Sequence, residues 1–94
     1  MNEKILIVED DFDIQSILKN YLEDAGYQLV FAADGVEGIA RFNEKISLVI
    51  LDIMLPKIDG FGVCEVIRSK SDVPIIMLTA LADEKNQLKG YAGK

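Results

Sequence analysis

The feature that most constrains this chain is an uninterrupted apolar run that ends on an acid. Leu48-Val-Ile-Leu51 leads straight into Asp52, and a proline-bearing loop then carries the chain to Asp59-Gly60. Such a run, bounded by turn residues, reads as a strand buried on both faces. A strand of that kind needs a parallel sheet with helices above and below it. Asp52 then stands at the strand's carboxyl end, the edge where open α/β sheets place their chemistry. Taken alone, Asp52 also admits a plainer reading, as a residue that caps a loop.

The rest of the chain repeats the alternation. Lys4–Val8 is a short buried strand closed by Glu9-Asp10-Asp11. From Asp13 the apolar residues Ile14, Ile17, Leu18, Tyr21, Leu22 and Ala25 follow at steps of three and four, one stripe of a helix. Asp11 or Asp13 caps its first turn and Gly26 ends it. Tyr27–Ala32 is a second strand. Asp34-Gly35 turns the chain into a helix reaching about Asn43, whose inner face carries Val36, Ile39, Ala40 and Phe42 or its neighbours. After the organising strand, Gly60 to about Ser69 is a third helix, with Phe61, Val63, Cys64, Val66 and Ile67 available for burial. Pro74–Leu78 is a fourth strand, ending in Thr79-Ala80, and Asp83 to about Tyr91 a last helical segment. The order is βαβαβαβα. Each crossover is long enough to be right-handed, so a doubly wound parallel sheet follows.

Composition narrows the function. The 94 residues hold 10 Lys plus Arg against 16 Asp plus Glu, a formal charge of −6, which argues against a grip on phosphate backbones. Half the residues are hydrophobic, as in an ordinary globular domain. The single cysteine, Cys64, lies on an apolar helix face as a small core residue and permits no internal disulfide. No run approaches membrane-spanning length, and a cytoplasmic protein is expected.

The topology collects Glu9, Asp10, Asp11, Asp52 and Thr79 at one sheet edge. Carboxylates about 5 Å apart repel by roughly 3 kcal/mol per pair at an effective dielectric near 20. A compensating cation or protonation is therefore required. Oxygen ligands in a chain with no histidine favour a hard ion, and Mg²⁺ suits carboxylates, waters and phosphate oxygens. Asp52 could then act as a nucleophile on phosphorus. The plainer reading of Glu9-Asp10-Asp11 is helix capping and dipole compensation.

Three stretches carry a family resemblance: Ile5-Leu-Ile-Val-Glu-Asp-Asp11, Asp52-Ile-Met-Leu-Pro-Lys-Ile-Asp-Gly60 and Pro74-Ile-Ile-Met-Leu-Thr-Ala80. In this order and spacing the chain resembles the receiver domain of two-component response regulators, of the subclass with a winged-helix output domain. The resemblance implies a flavodoxin-like receiver fold and a phosphoprotein of phosphorelay signal transduction. It implies Asp52 as the phosphoacceptor, served by a sensor histidine kinase. Mg²⁺ would be held by Glu9, Asp10, Asp52 and the backbone carbonyl of Met54, with Asp11 a further candidate. Thr79 would contact the phosphoryl group, and Ala80 would leave it room. Transcription regulation, and any contact with DNA, would pass through an output domain outside residues 1–94.

The same resemblance sets out departures. The family pattern continues into a fifth strand and fifth helix, with a lysine that pairs with the phosphoryl oxygens, and these lie beyond this sequence. The expectation is a receiver domain incomplete at its C-terminus that either self-associates or exchanges elements through an exposed fourth strand, or is a fragment of a longer protein. Met54 and Leu81 are apolar where the family can orient attacking water, so slow loss of the phosphoryl group is expected. Two other readings stand beside this one. The chain is a receiver-derived interaction module, inactive without the lysine. Or it is a haloacid-dehalogenase-like phosphohydrolase, which wants a second Asp at the position of Met54. The expected class is a switch rather than an enzyme.

Overall fold

The computed structural model describes residues 3–78. Four strands and three helices alternate: β1 (Lys4–Val8), α1 (Phe12–Asp24), β2 (Gln28–Ala32), α2 (Gly35–Arg41), β3 (Ile46–Asp52), α3 (Gly60–Arg68) and β4 (Ile75–Leu78). The strands form one parallel sheet in the order β2-β1-β3-β4. This is the doubly wound arrangement expected. The segment expected as a helix from Asp83 to Tyr91 lies outside the described residues, as do Thr79, Ala80 and Leu81.

The two inner strands are the apolar runs, because only they are covered on both faces. Alternate side chains of β1 point to opposite sides. Leu6 and Val8 join Val49, Leu51, Val63 and Ile67 beneath α2 and α3. Ile5 and Ile7 join Ile50 beneath α1, where Leu18 and Leu22 pack. Cys64 packs against the first of these clusters, as expected of a small core residue.

Several expected core residues face outward instead. In α2, Val36 and Ala40 are exposed, and the helix packs through Gly35, Gly38, Ile39 and Phe42. Gly38 lies so close to Val8 that a Cβ there would stand 2.9 Å from a Val8 methyl, so the small residue sets which face turns inward. In α3, Phe61 and Val66 are exposed. At about 100° per residue Phe61 lies roughly 160° around the helix from Val63, and a short helix buries only one stripe. In α1, Ile17 and Tyr21 are exposed while Leu18 and Leu22 meet the sheet. Among the described residues β4 ends the sheet, with Ile76 51% exposed on it.

The helix ends follow local chemistry. Asp11, not Asp13, caps α1: its Oδ1 accepts from the amides of Asp13 (2.8 Å) and Ile14 (3.2 Å). At the other end Gly26 adopts φ +97°, and the amides of Gly26 and Tyr27 return to the carbonyls of Glu23 and Leu22. That paired closure uses the left-handed conformation only glycine takes without cost.

Candidate functional site

Register brings the acids together. Val8 pairs with Leu51 across β1 and β3, so the next residue on each strand, Glu9 and Asp52, emerge side by side. Glu9 continues toward β2, its amide donating to the Ala32 carbonyl at 3.0 Å. Carboxylate oxygens of Glu9, Asp10 and Asp52 all lie within 4.8 Å of one another. Glu9 and Asp52 are 1% and 7% exposed, whereas Asp10 faces solvent.

Each buried acid is held in place. Glu9 Oε2 accepts the Asp11 amide at 3.0 Å, and the Gln15 side chain donates to the Glu9 carbonyl at 2.6 Å. Glu9 Oε1 is buried with no hydrogen-bond partner among the described residues. Asp52 Oδ1 accepts the Met54 amide at 3.1 Å. Burial, opposed by the Asp11 amide and reinforced by the charge of Asp52, pushes the Glu9 carboxyl up to about 8. Burial also raises Asp52, against the amide of Met54 that lowers it. The dominant cause in both is desolvation of the charged form by burial.

This arrangement fits a small hard cation. The donor set is all carboxylate oxygen, two of the three donors are buried, and one buried oxygen lacks a partner. Asp11 is not among the acids this group brings together, and its Oδ1 accepts from the α1 amides of Asp13 and Ile14. The Met54 side chain turns outward, 65% exposed, while its backbone stays at the site through the bond to Asp52.

The loop after β3 is shaped to close over the strand end. Gly60 donates to the Ile53 carbonyl at 2.9 Å, and a Cβ on Gly60 would stand 2.5 Å from the Asp52 carbonyl oxygen. Lys57 takes φ +70° and reaches Asp34 at 3.3 Å, tying the loop to the start of α2. Asp59 caps α3 through the Gly62 amide at 2.9 Å. A cleft of about 660 Å³ opens between this loop and Asp10. One of similar size, about 680 Å³, lies beside Lys4 and Tyr27 at the other end of the strands and contains none of the clustered acids.

Sequence reasoning missed Gln15 and the Lys57–Asp34 tie. Gln15 carried a faint signal, a polar residue between Ile14 and Leu18 on a helix facing the sheet edge. The Lys57–Asp34 pair spans 23 positions and had none.

The chain matches the response regulator receiver domain family over residues 5–93. It belongs to that family. The receiver domain is 52% identical over 89 residues to the "Probable transcriptional regulator ycf27" of Guillardia theta, covering 94% of this chain and 35% of that protein. Its likeness to the protein of the same description in Porphyridium aerugineum is 49% over 89 residues, covering 94% of this chain and 37% of the relative. The receiver domain thus spans little more than a third of the length of these relatives. Among solved structures it is similar to the Vibrio cholerae chemotaxis protein CheY4, with a TM-score of 0.80 and 33% identity over 99% of this chain and 82% of that one. It is also similar to the receiver domain of the Pseudomonas aeruginosa sensor histidine kinase PA1611, which has a magnesium ion coordinated in its active site cleft. That pair has a TM-score of 0.78 and 31% identity over 90% of this chain and 75% of that one. No helix among the described residues is long and apolar enough to cross a membrane.

Proposed function

We propose that this receiver domain is the phosphorylation switch of a cytoplasmic transcription regulator, accepting a phosphoryl group on Asp52 from a sensor histidine kinase. The observation that carries the reading is the buried Asp52 set within 4.8 Å of two further carboxylates at the carboxyl edge of a parallel sheet. The likeness to longer proteins described as probable transcriptional regulators supports an output domain outside these residues, through which DNA would be reached.

The Met54 amide engages Asp52 Oδ1, which leaves Oδ2 to attack phosphorus. The new O–P bond forms as the P–N bond to the donor imidazole breaks, its electron pair remaining on the nitrogen. Glu9, Asp10 and Asp52, with the Met54 carbonyl, would hold Mg²⁺, which when bound supplies the positive charge that offsets acids and phosphoryl oxygens. Glu9 must release its proton for this. Thr79 and Ala80 keep the roles their sequence match assigns, as hydroxyl contact and small neighbour. Asp11 is left out of the metal set, and self-association through β4 is proposed from the exposed Ile76 at its edge.

The test is incubation with acetyl phosphate and Mg²⁺, followed by intact mass spectrometry. One added phosphoryl group that requires Mg²⁺ and is lost in Asp52→Asn is the expected result. Labelling that persists in Asp52→Asn would refute the assignment. An unlabelled chain that still folds and binds Mg²⁺ would favour an interaction module instead.

A further inference from the structure

The Gln15 side chain makes a bond that the capping of α1 does not require. It stands on the stripe of α1 that carries Leu18 and Leu22, the residues that seat the helix on the sheet. Half-buried there, its Nε2 donates to the Glu9 carbonyl at 2.6 Å, six residues back along the chain. Both ladders of β1 end at Val8, paired with Ala32 and Leu51, so the Glu9 carbonyl lies past the last strand pairing. A buried carbonyl needs a partner, and Gln15 supplies one from a seated helix.

That carbonyl belongs to the planar Glu9–Asp10 peptide. Holding it fixes the plane from which the Glu9 and Asp10 side chains both depart. The following residue is held as well. The Asp11 amide donates to Glu9 Oε2 at 3.0 Å, and the Gln15 amide donates to the Asp11 carbonyl at 3.0 Å. Residues 9–11 are thus clasped to α1 at both ends. The clasp matters most for Asp10. Glu9 and Asp52 are buried, whereas Asp10 faces solvent, so its backbone rather than packing aims its carboxylate. An oxygen of that carboxylate nonetheless lies within 4.8 Å of oxygens on the two buried acids.

Hard cations differ in what they ask of such a turn. Mg²⁺ demands near-ideal octahedral geometry with short bonds, whereas Ca²⁺ accepts longer bonds and flexible ligand sets. A rigid turn therefore favours Mg²⁺, and a loose one gives that advantage away. Partners that orient the ligands from outside set metal affinity in the same way. Resting on the metal set of the proposed function, we infer that Gln15 is a positioning residue for the cation site, which holds the Glu9–Asp10 peptide by its carbonyl and so sets the preference for Mg²⁺ over Ca²⁺.

The experiment is isothermal titration calorimetry of the folded chain with Mg²⁺ and, separately, with Ca²⁺, for the unmodified protein, Gln15→Met and Gln15→Arg. Methionine keeps the length of the side chain and removes the donor. Arginine carries its Nε–H the same number of bonds from the backbone as glutamine carries Nε2. Both ions bear the same charge, so the ratio of their affinities is insensitive to the charge that arginine adds. Gln15→Met should lower Mg²⁺ affinity by roughly fivefold or more and Ca²⁺ affinity by less than about twofold. Gln15→Arg should weaken both ions alike and keep their ratio within about twofold of the unmodified chain. Should Gln15→Met fail to fold, Gln15→Leu removes the same donor and should lower the ratio in the same way. A residue that merely braces the fold would lower stability in urea and leave both affinities unchanged. That result, or an equal loss for the two ions on removing the donor, would overturn the inference. Failure of the unmodified chain to bind Mg²⁺ overturns the metal set and the Gln15 assignment together. The expected ratios in a chain that acetyl phosphate does not label would support the Gln15 assignment and overturn the phosphoacceptor reading alone.

Discussion

Glu9 offers the sharpest test of how this site stores electrostatic cost. Its carboxyl is raised from an ordinary 4.5 to about 8, chiefly by burial. Between those values the folded chain holds a proton that the unfolded chain releases, so stability must fall as pH rises. At about 1.4 kcal/mol per pH unit, the full difference is on the order of 5 kcal/mol, reached above pH ~8. That is comparable with the whole stability of a small domain, about 5–15 kcal/mol. Asp52, raised for the same reason, adds in the same direction. Asp34 and Glu37 do not confuse the window. Backbone amides, with Lys57 and Arg41, hold them below the usual range, so their contribution is complete above the ordinary carboxylate value and is lost only in more acidic solution. The assay is urea unfolding by circular dichroism from pH 5 to 8.5 in EDTA, for the unmodified chain and for Glu9→Gln. The unmodified chain should lose several kcal/mol (~3–5) across this range, while Glu9→Gln should lose much less. Saturating Mg²⁺ should recover stability as pH rises, by about 1.4 kcal/mol for each tenfold excess over its Kd. Equal slopes in the two proteins, or stability that rises with pH in EDTA, would refute the reasoning.

Asp11→Ala should cost about 1 kcal/mol of stability by removing the α1 cap, yet leave Mg²⁺ affinity within roughly twofold by calorimetry; a large loss of affinity would return Asp11 to the metal set. Gly60→Ala should destabilise by about 2–4 kcal/mol in urea unfolding, because its Cβ would press on the Asp52 carbonyl. It should also slow acetyl phosphate labelling, since the loop carrying Met54 must move. The phosphorylated intact regulator should lose its phosphoryl group slowly, over minutes or longer, because Met54 is apolar beside the site; decay within seconds, followed by intact mass, would contradict this. Light scattering of the chain should show association that Ile76→Lys reduces, and a strict monomer would rule out pairing through β4.

Much of the fold was legible because its signals are local. Val, Ile and Leu runs of strand length mark β1 and β3, and capping acids and Gly26 mark where α1 begins and ends. Parallel topology then followed from connection length and handedness, so the meeting of Glu9, Asp10 and Asp52 was foreseeable. What local pattern could not supply was which face of each helix turns inward. Val36, Phe61, Ile17 and Tyr21 fit an apolar stripe, but close approach at Gly38 and the narrowness of each contact left them in solvent.

Sequence by itself therefore determined the α/β order and the sheet edge that carries the acids. Tertiary structure alone decided the rest. Strand register put Glu9 beside Asp52, helix geometry took Asp11 for capping, and the loop after β3 came to lie beside the start of α2, where Lys57 meets Asp34 across 23 positions. The physical reason is range. Propensity and capping act between neighbours in the chain, whereas desolvation, charge repulsion and side-chain packing depend on distances that exist only once the chain has folded.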